Sequence, residues 1–205
     1  MSHLRVELRQ RAEELVALYP RPRSAMLPLL HLAQEQDGYL SEAGIEEVAQ
    51  LTGTTPADVR GTAAFYDMYH LEPVGKYVVG VCTNIACLLG GGLELLEHAS
   101  KTLGCAVGER SDDGIFTLEE TECLADCDFA PCVQVNHRFV RTTTPETFDA
   151  LVSELREGKR DQEIPSHGTL IRVRRAGGLR APKDEVSGER KYAKEQRDLR
   201  AEEKA

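Results

Sequence analysis

Apolar positions repeat first at helical and then at strand spacing, and the change falls at Gly75. Residues 8–19 place Leu8, Ala12, Leu15, Val16 and Tyr19 on one face of a helix that Pro20 and Pro22 end. Ser24 stands as the cap of a second helix through Leu27, Leu30, His31 and Ala33. Pro28 falls in its first turn, where a missing N–H costs little. Ser41 opens a third helix that buries Ile45, Val48, Ala49 and Leu51, and Gly53 closes it. Thr55-Pro56-Ala57-Asp58 combines an N-cap, a proline at the first helical position and an acid at the positive end of the helix dipole. The fourth helix it starts runs to about Phe65. Four short helices without a ligand-rich cluster predict a docking bundle over residues 1–74.

After Gly75 the signals are those of a mixed sheet. Tyr77-Val78-Val79-Gly80-Val81 is a β-branched strand ending on Cys82. A helix follows Cys87, with Leu93, Leu95, Leu96, His98, Ala99 and Leu103, and Gly104 stops it. Ile115-Phe116-Thr117-Leu118 predicts a second strand leading to Cys123. Cys132–Val135 and Phe139–Thr142 predict two more, joined by the turn Asn136-His137-Arg138. Thr144 caps a last helix with Phe148, Leu151, Val152 and Leu155 on one face, ending at Gly158. The order βα, then βββα, predicts an α+β chain: the helical bundle, then a thioredoxin-like domain over residues 75–160 in which helices cover a small open sheet. Residues 161–205 are sparse in apolar side chains and read as a charged, flexible tail, within which Thr169–Arg174 could form an edge strand.

Charge sharpens this division. The net charge is −9, but residues 165–205 hold 11 Lys/Arg against 7 Asp/Glu, leaving 14 against 27 for the rest. An acidic body argues against a nucleic-acid partner, which needs clustered cations. No apolar run approaches the roughly 18 residues of a bilayer span, and no signal-peptide core follows Met1. A cytoplasmic location is the expectation.

The six cysteines, at 82, 87, 105, 123, 127 and 132, are confined to one quarter of the chain. In a reducing compartment such clustering points to metal binding or redox chemistry. Cys82-x4-Cys87 and Cys123-x3-Cys127 each sit soon after a predicted strand. If those strands are neighbours, four thiols converge at one sheet edge. Four thiolates suit a 2Fe–2S cluster, two per iron, because the ligand is soft and anionic. Gly90, Gly91 and Gly92 open a helix beside the first pair, where bare backbone can approach and free N–H groups can face sulfur. Thr83 and Asn84 are placed to add hydrogen bonds, and Asp126 sets a carboxylate beside the second pair. A structural zinc site remains compatible with the spacing, as do disulfides. Cys105 and Cys132 read as small buried hydrophobes, and His31 and His98 as packing residues. The glycine triplet lacks the G-x-G-x-x-G spacing and is followed by no P-loop lysine, so the chain shows no NADH or flavin site of its own.

Longer strings carry a resemblance over about residues 10–158. They are Arg23-Ser24-Ala25-Met26-Leu27-Pro28-Leu29-Leu30, Ala33-Gln34-Glu35-Gln36-Asp37-Gly38-Tyr39-Leu40, Ala64-Phe65-Tyr66, Pro73-Val74-Gly75-Lys76-Tyr77, Val81-Cys82-Thr83-Asn84-Ile85-Ala86-Cys87, Glu122-Cys123-Leu124, Cys127, Ala130-Pro131 and Val135-Asn136. The chain resembles the thioredoxin-like 2Fe–2S subunits of bacterial NADH:quinone oxidoreductases, with similar subunits in NAD-dependent formate dehydrogenases and NAD-reducing hydrogenases. The resemblance implies one 2Fe–2S cluster on Cys82, Cys87, Cys123 and Cys127, and one-electron transfer as a non-autonomous subunit of an NADH dehydrogenase. It also implies a neighbouring flavoprotein subunit that binds FMN and NADH and carries a 4Fe–4S cluster, and a place at the inner membrane held only through the holoenzyme. A zinc-stabilised interaction module without redox activity is the alternative from another class. The chain departs from the family in two places: Ala125-Asp126 stand where Gly-Ala is common, and Cys132 where a bulkier apolar residue is usual.

Overall fold

Capping chemistry sets most of the helix ends in the computed structural model, which describes residues 3–141 and 144–168, all within one unit, Met1–Leu170. Helix α1 spans Val6–Val16 and ends three residues before its predicted limit. Leu18 and Tyr19 fold back on Leu15 and Val16 through i−3 hydrogen bonds, tightening the last turn ahead of Pro20. Tyr19 is therefore off the buried face and exposed. Helix α2 spans Met26–Asp37 and corrects the expected cap: Pro22–Ala25 form a 3-10 turn that encloses Ser24, so Ala25 precedes the helix and no side chain caps it. Helix α3, Glu42–Thr52, starts as expected, with the Ser41 hydroxyl accepting from the Gly44 N–H at 3.2 Å. Helix α4, Pro56–Phe65, carries a reciprocal box in which Thr55 and Asp58 each accept the other's backbone N–H at 3.2 Å. Leu29, Leu30, Ile45, Val48 and Val59 form the centre of the bundle. Glu47, buried on α3, accepts from the Leu4 N–H at 2.7 Å and pairs with Arg9 at 2.6 Å, pinning the N-terminal segment.

Among the described residues the sheet has four strands, β1 Tyr77–Cys82, β2 Phe116–Thr121, β3 Val133–Val135 and β4 Arg138–Val140, in the order β2-β1-β3-β4. Strand β1 runs parallel to β2 and antiparallel to β3. Between β1 and β2 lie α5, Ile85–Leu89, and α6, Gly92–Leu103; α7, Pro145–Arg156, follows β4 and is capped by Thr144. Tyr77, Val79 and Val81 share one core with Phe116, Leu95, Phe148 and Leu155, which buries the inner faces of α6 and α7. Strand β2 outruns its apolar pattern by three residues, because the register Cys82↔Thr121 gives Glu119, Glu120 and Thr121 ladder partners. The hairpin turn is Asn136–His137 alone, with φ of 48° and 61°, the two left-handed positions that a tight turn requires, and Arg138 already belongs to β4.

Side chains and backbone stitch the bundle to the sheet. The Gln34 carboxamide donates to Met68 O and accepts from the His70 N–H, both at 2.9 Å. The His70 ring lies 3.6 Å from Glu119 and packs edge-on against His167, whose N–H reaches Lys76 O at 2.7 Å. Ile164 is buried in the sheet core. Thr142 as a strand end, the edge strand expected at 169–174 and the tail after 168 lie outside the described residues.

Candidate metal centre

Because β1 and β2 are parallel neighbours, their carboxyl ends open at the same sheet edge. Cys82 ends β1, Cys87 sits within α5, Cys123 and Cys127 belong to the loop after β2, and Cys132 immediately precedes β3. All five line one cavity of about 50 Å³, together with Asn84, Ile85, Ala86 and Ala125. The four thiols singled out by spacing are thus brought together. Cys132, read from sequence as a bland core residue, joins them, while Cys105 lies in the sheet core. Cys82, Cys87 and Cys132 are buried in mutual contact, whereas Cys123 and Cys127 are exposed. One wall of the site is therefore interior and the other opens to the surface.

The sulfur atoms have specific partners. The Ala125 N–H donates to Cys123 Sγ and the Cys132 N–H to Cys87 Sγ, each at 3.4 Å. The Cys82 thiol donates to Glu122 O at 2.8 Å and the Cys132 thiol to Asp126 O at 3.0 Å. Burial pushes the Cys87 thiol up to about 12, and loss of solvation is also the first cause of the raised Cys127 and Cys132 thiols. Left to themselves these groups stay protonated, so thiolate here has to be created by displacing protons with a metal. The donor set is all sulfur, and the rest of the lining is aliphatic apart from Asn84. That chemistry fits an iron–sulfur cluster, and a four-thiol zinc site would draw on the same donors.

The expected surroundings are in place with different jobs. Thr83 donates its hydroxyl to Glu120 at 2.6 Å, and Asn84 caps α5 by accepting from the Ile85 N–H at 2.9 Å. Neither of those bonds reaches sulfur. The Gly90 and Gly91 amides donate to Ala86 and Cys87 carbonyls and to Leu88 O, so they serve the α5–α6 corner. Gly91 adopts φ 92°, and a Cβ on Gly92 would stand 2.7 Å from Cys82 O and 2.8 Å from Cys87 O. Close approach at Gly92 is what lets α6 begin against both ligand-bearing segments. Asp126 is paired with Arg141, whose guanidinium also lies 3.7 Å over the Phe129 ring. His98 pairs with Asp149 at 2.7 Å and His31 packs against Tyr69, both away from the cavity.

The family model of thioredoxin-like [2Fe-2S] ferredoxins matches residues 12–156. An NADH-quinone oxidoreductase subunit of Mycobacterium tuberculosis is 46% identical over 145 residues, 71% of this chain and 58% of that protein. An NADH-quinone oxidoreductase subunit of Thermus thermophilus is 42% identical over 159 residues, 76% and 88% of the two chains. The chain therefore spans less than two thirds of the mycobacterial relative and most of the Thermus one. Among solved structures, an NAD+-reducing [NiFe]-hydrogenase in the H2-reduced state shares the fold at a TM-score of 0.60 and 22% identity, covering 71% of this chain and 24% of that one.

Proposed function

The chain belongs to the thioredoxin-like [2Fe-2S] ferredoxin family, and on that premise we propose that Cys82, Cys87, Cys123 and Cys127 hold one 2Fe–2S cluster in a subunit of an NADH:quinone oxidoreductase. The observation that carries this is the convergence of two cysteine pairs in one cavity at the end of two parallel strands. When bound, the cluster supplies a one-electron acceptor and donor. The chain's own residues do the rest. Ala125 and Cys132 offer backbone N–H groups to Cys123 and Cys87 sulfur, which stabilises added negative charge. Ile85, Ala86 and Ala125 give the cavity an aliphatic lining. Arg141 offsets the Asp126 carboxylate.

The partner that fits is a flavoprotein subunit binding FMN and NADH and carrying a 4Fe–4S cluster. Exposed Ile85, Leu88, Leu89 and Phe129 surround the ligand-bearing segments and suit a protein interface at the cluster face. No helix among the described residues is long and apolar enough to cross a membrane, so attachment to the inner membrane would run through the holoenzyme. The relatives at 39–46% identity carry NADH-quinone oxidoreductase names, which favours that assembly over a formate dehydrogenase or hydrogenase. Iron and acid-labile sulfide analysis of anaerobically purified chain is the test. About two of each per chain, with the signal lost in Cys123→Ala and Cys127→Ala, is expected. Stoichiometric zinc without sulfide would establish the non-redox module instead.

A further inference from the structure

Five thiols line a cavity whose assigned occupant needs four, and the fifth is anchored as firmly as the ligands. Cys132 is 3% exposed. Its carbonyl accepts from the Cys82 N–H at 3.0 Å, so the backbone at 132 is tied to the end of β1. Its own N–H donates to Cys87 Sγ at 3.4 Å, and Cys82, Cys87 and Cys132 are buried in mutual contact. An iron held by Cys87 would therefore lie beside Cys132. The Cys132 thiol meanwhile donates to Asp126 O, a weak S–H bond that is easily given up for a bond to iron.

We propose that Cys132 is a reserve ligand of this site, able to replace Cys87 on the iron that Cys87 holds. This rests on the four-ligand assignment above. In the exchange one iron–sulfur bond to Cys87 breaks and one to Cys132 forms. The Cys132 proton passes to the departing Cys87 thiolate, and no electron is gained or lost. Where Cys87 is missing, the Cys132 proton is released to solvent during assembly, as for any thiol that binds metal. The two sulfurs come from different segments, α5 and the residue just before β3, so damage to one leaves the other in place.

The test uses the full chain, loaded anaerobically with ferric iron and sulfide, and reads iron, sulfide and, after one-electron reduction with dithionite, the electron paramagnetic resonance spectrum. Wild type and Cys132→Ala are expected to load fully. Cys87→Ala should keep at least half of the wild-type iron with shifted g values, while Cys123→Ala and the double variant Cys87→Ala/Cys132→Ala should keep under a tenth. Cys87→Ala falling to the level of Cys123→Ala, with a wild-type far-ultraviolet dichroism spectrum, would overturn the proposal. If Cys87→Ala does not fold, the volume-conserving Cys87→Ser is compared with Cys87→Ser/Cys132→Ala. Equal iron and identical spectra in that pair would also overturn it, and a lower iron content in the double variant would support it. A wild-type chain that takes up no cluster would defeat the four-ligand assignment itself, and with it this inference.

Discussion

Ala125 holds a backbone conformation that its side chain opposes. Its φ is 57°, in the left-handed region that costs an ordinary residue about 1–2 kcal/mol, and it is there because its N–H must face Cys123 sulfur. Ala125→Gly removes that strain at some cost in unfolded-chain entropy, so a net gain of about 0.5–1 kcal/mol is expected in the denaturant midpoint of the metal-free chain. A loss of stability on this change would mean that the Ala125 side chain packs usefully. Its neighbour Asp126 bears on the cluster's charge. A lone carboxylate about 6 Å from the centre would oppose an added electron by roughly 2–3 kcal/mol at an effective dielectric near 20. Arg141 pairs with it and is half exposed, so the net field is much smaller. Asp126→Asn should therefore raise the reduction potential and Arg141→Gln should lower it, with the double variant near wild type. Shifts of the same sign in a redox titration of the two single variants would rule out this compensation.

At the scale of elements, Gly92 decides whether the cavity exists. The first turn of α6 passes so close to the Cys82 and Cys87 carbonyls that Gly92→Ala must displace backbone rather than a flexible side chain. A destabilisation of about 1–3 kcal/mol and loss of iron uptake are expected, measured by thermal melting and metal analysis. Gly104→Ala, at the far end of the same helix with nothing near its missing Cβ, gives the contrast. It adds strain at φ 74° and should leave iron uptake intact. What was legible in the sequence follows the same logic. Ser41, Thr55 and Thr144 announce helix starts because their hydroxyls act on N–H groups three residues away. Ser24 misleads because Pro22 opens a 3-10 turn first. The last three residues of β2 are polar, so only their ladder with β1 reveals them, and α5 is too short to show a period. The four spaced cysteines were legible through their strands. Cys132 was not, since an apolar run gives no hint of which way one side chain in it points.

For the molecule as a whole, the polar layer between bundle and sheet makes stability depend on pH. His70 and His167 pack together there, with Glu119 and Asp67 facing His70 and His137 acting on both rings. Burial is the first cause of lowered histidine values in both, and His167 falls to about 3. A histidine whose folded value lies below its unfolded one, about 6.5, binds more protons when the chain unfolds. Its contribution is thus fully present above about 6.5 and is lost as pH falls toward the folded value. For His167 the window is about 6.5 down to 3, and a drop to pH 5 costs on the order of 2 kcal/mol before allowance for its residual exposure. Glu119 works the other way: burial raises it, so acid relieves a buried charge. Glu119's relief comes as pH falls through its raised value and is complete at its ordinary carboxylate range, so it opposes the histidines in part, and two lowered histidines against one raised carboxyl should dominate between pH 7 and 5. Urea midpoints of the metal-free chain should accordingly fall between pH 7 and 5. His167→Gln, which cannot titrate, should flatten that fall while keeping the stability at pH 7 within about 1 kcal/mol of wild type. An equal slope in both proteins would place the acid sensitivity elsewhere, with Asp113, held down to about 2 by Ser111, the Ile115 amide and Arg156, the next group to examine below pH 4.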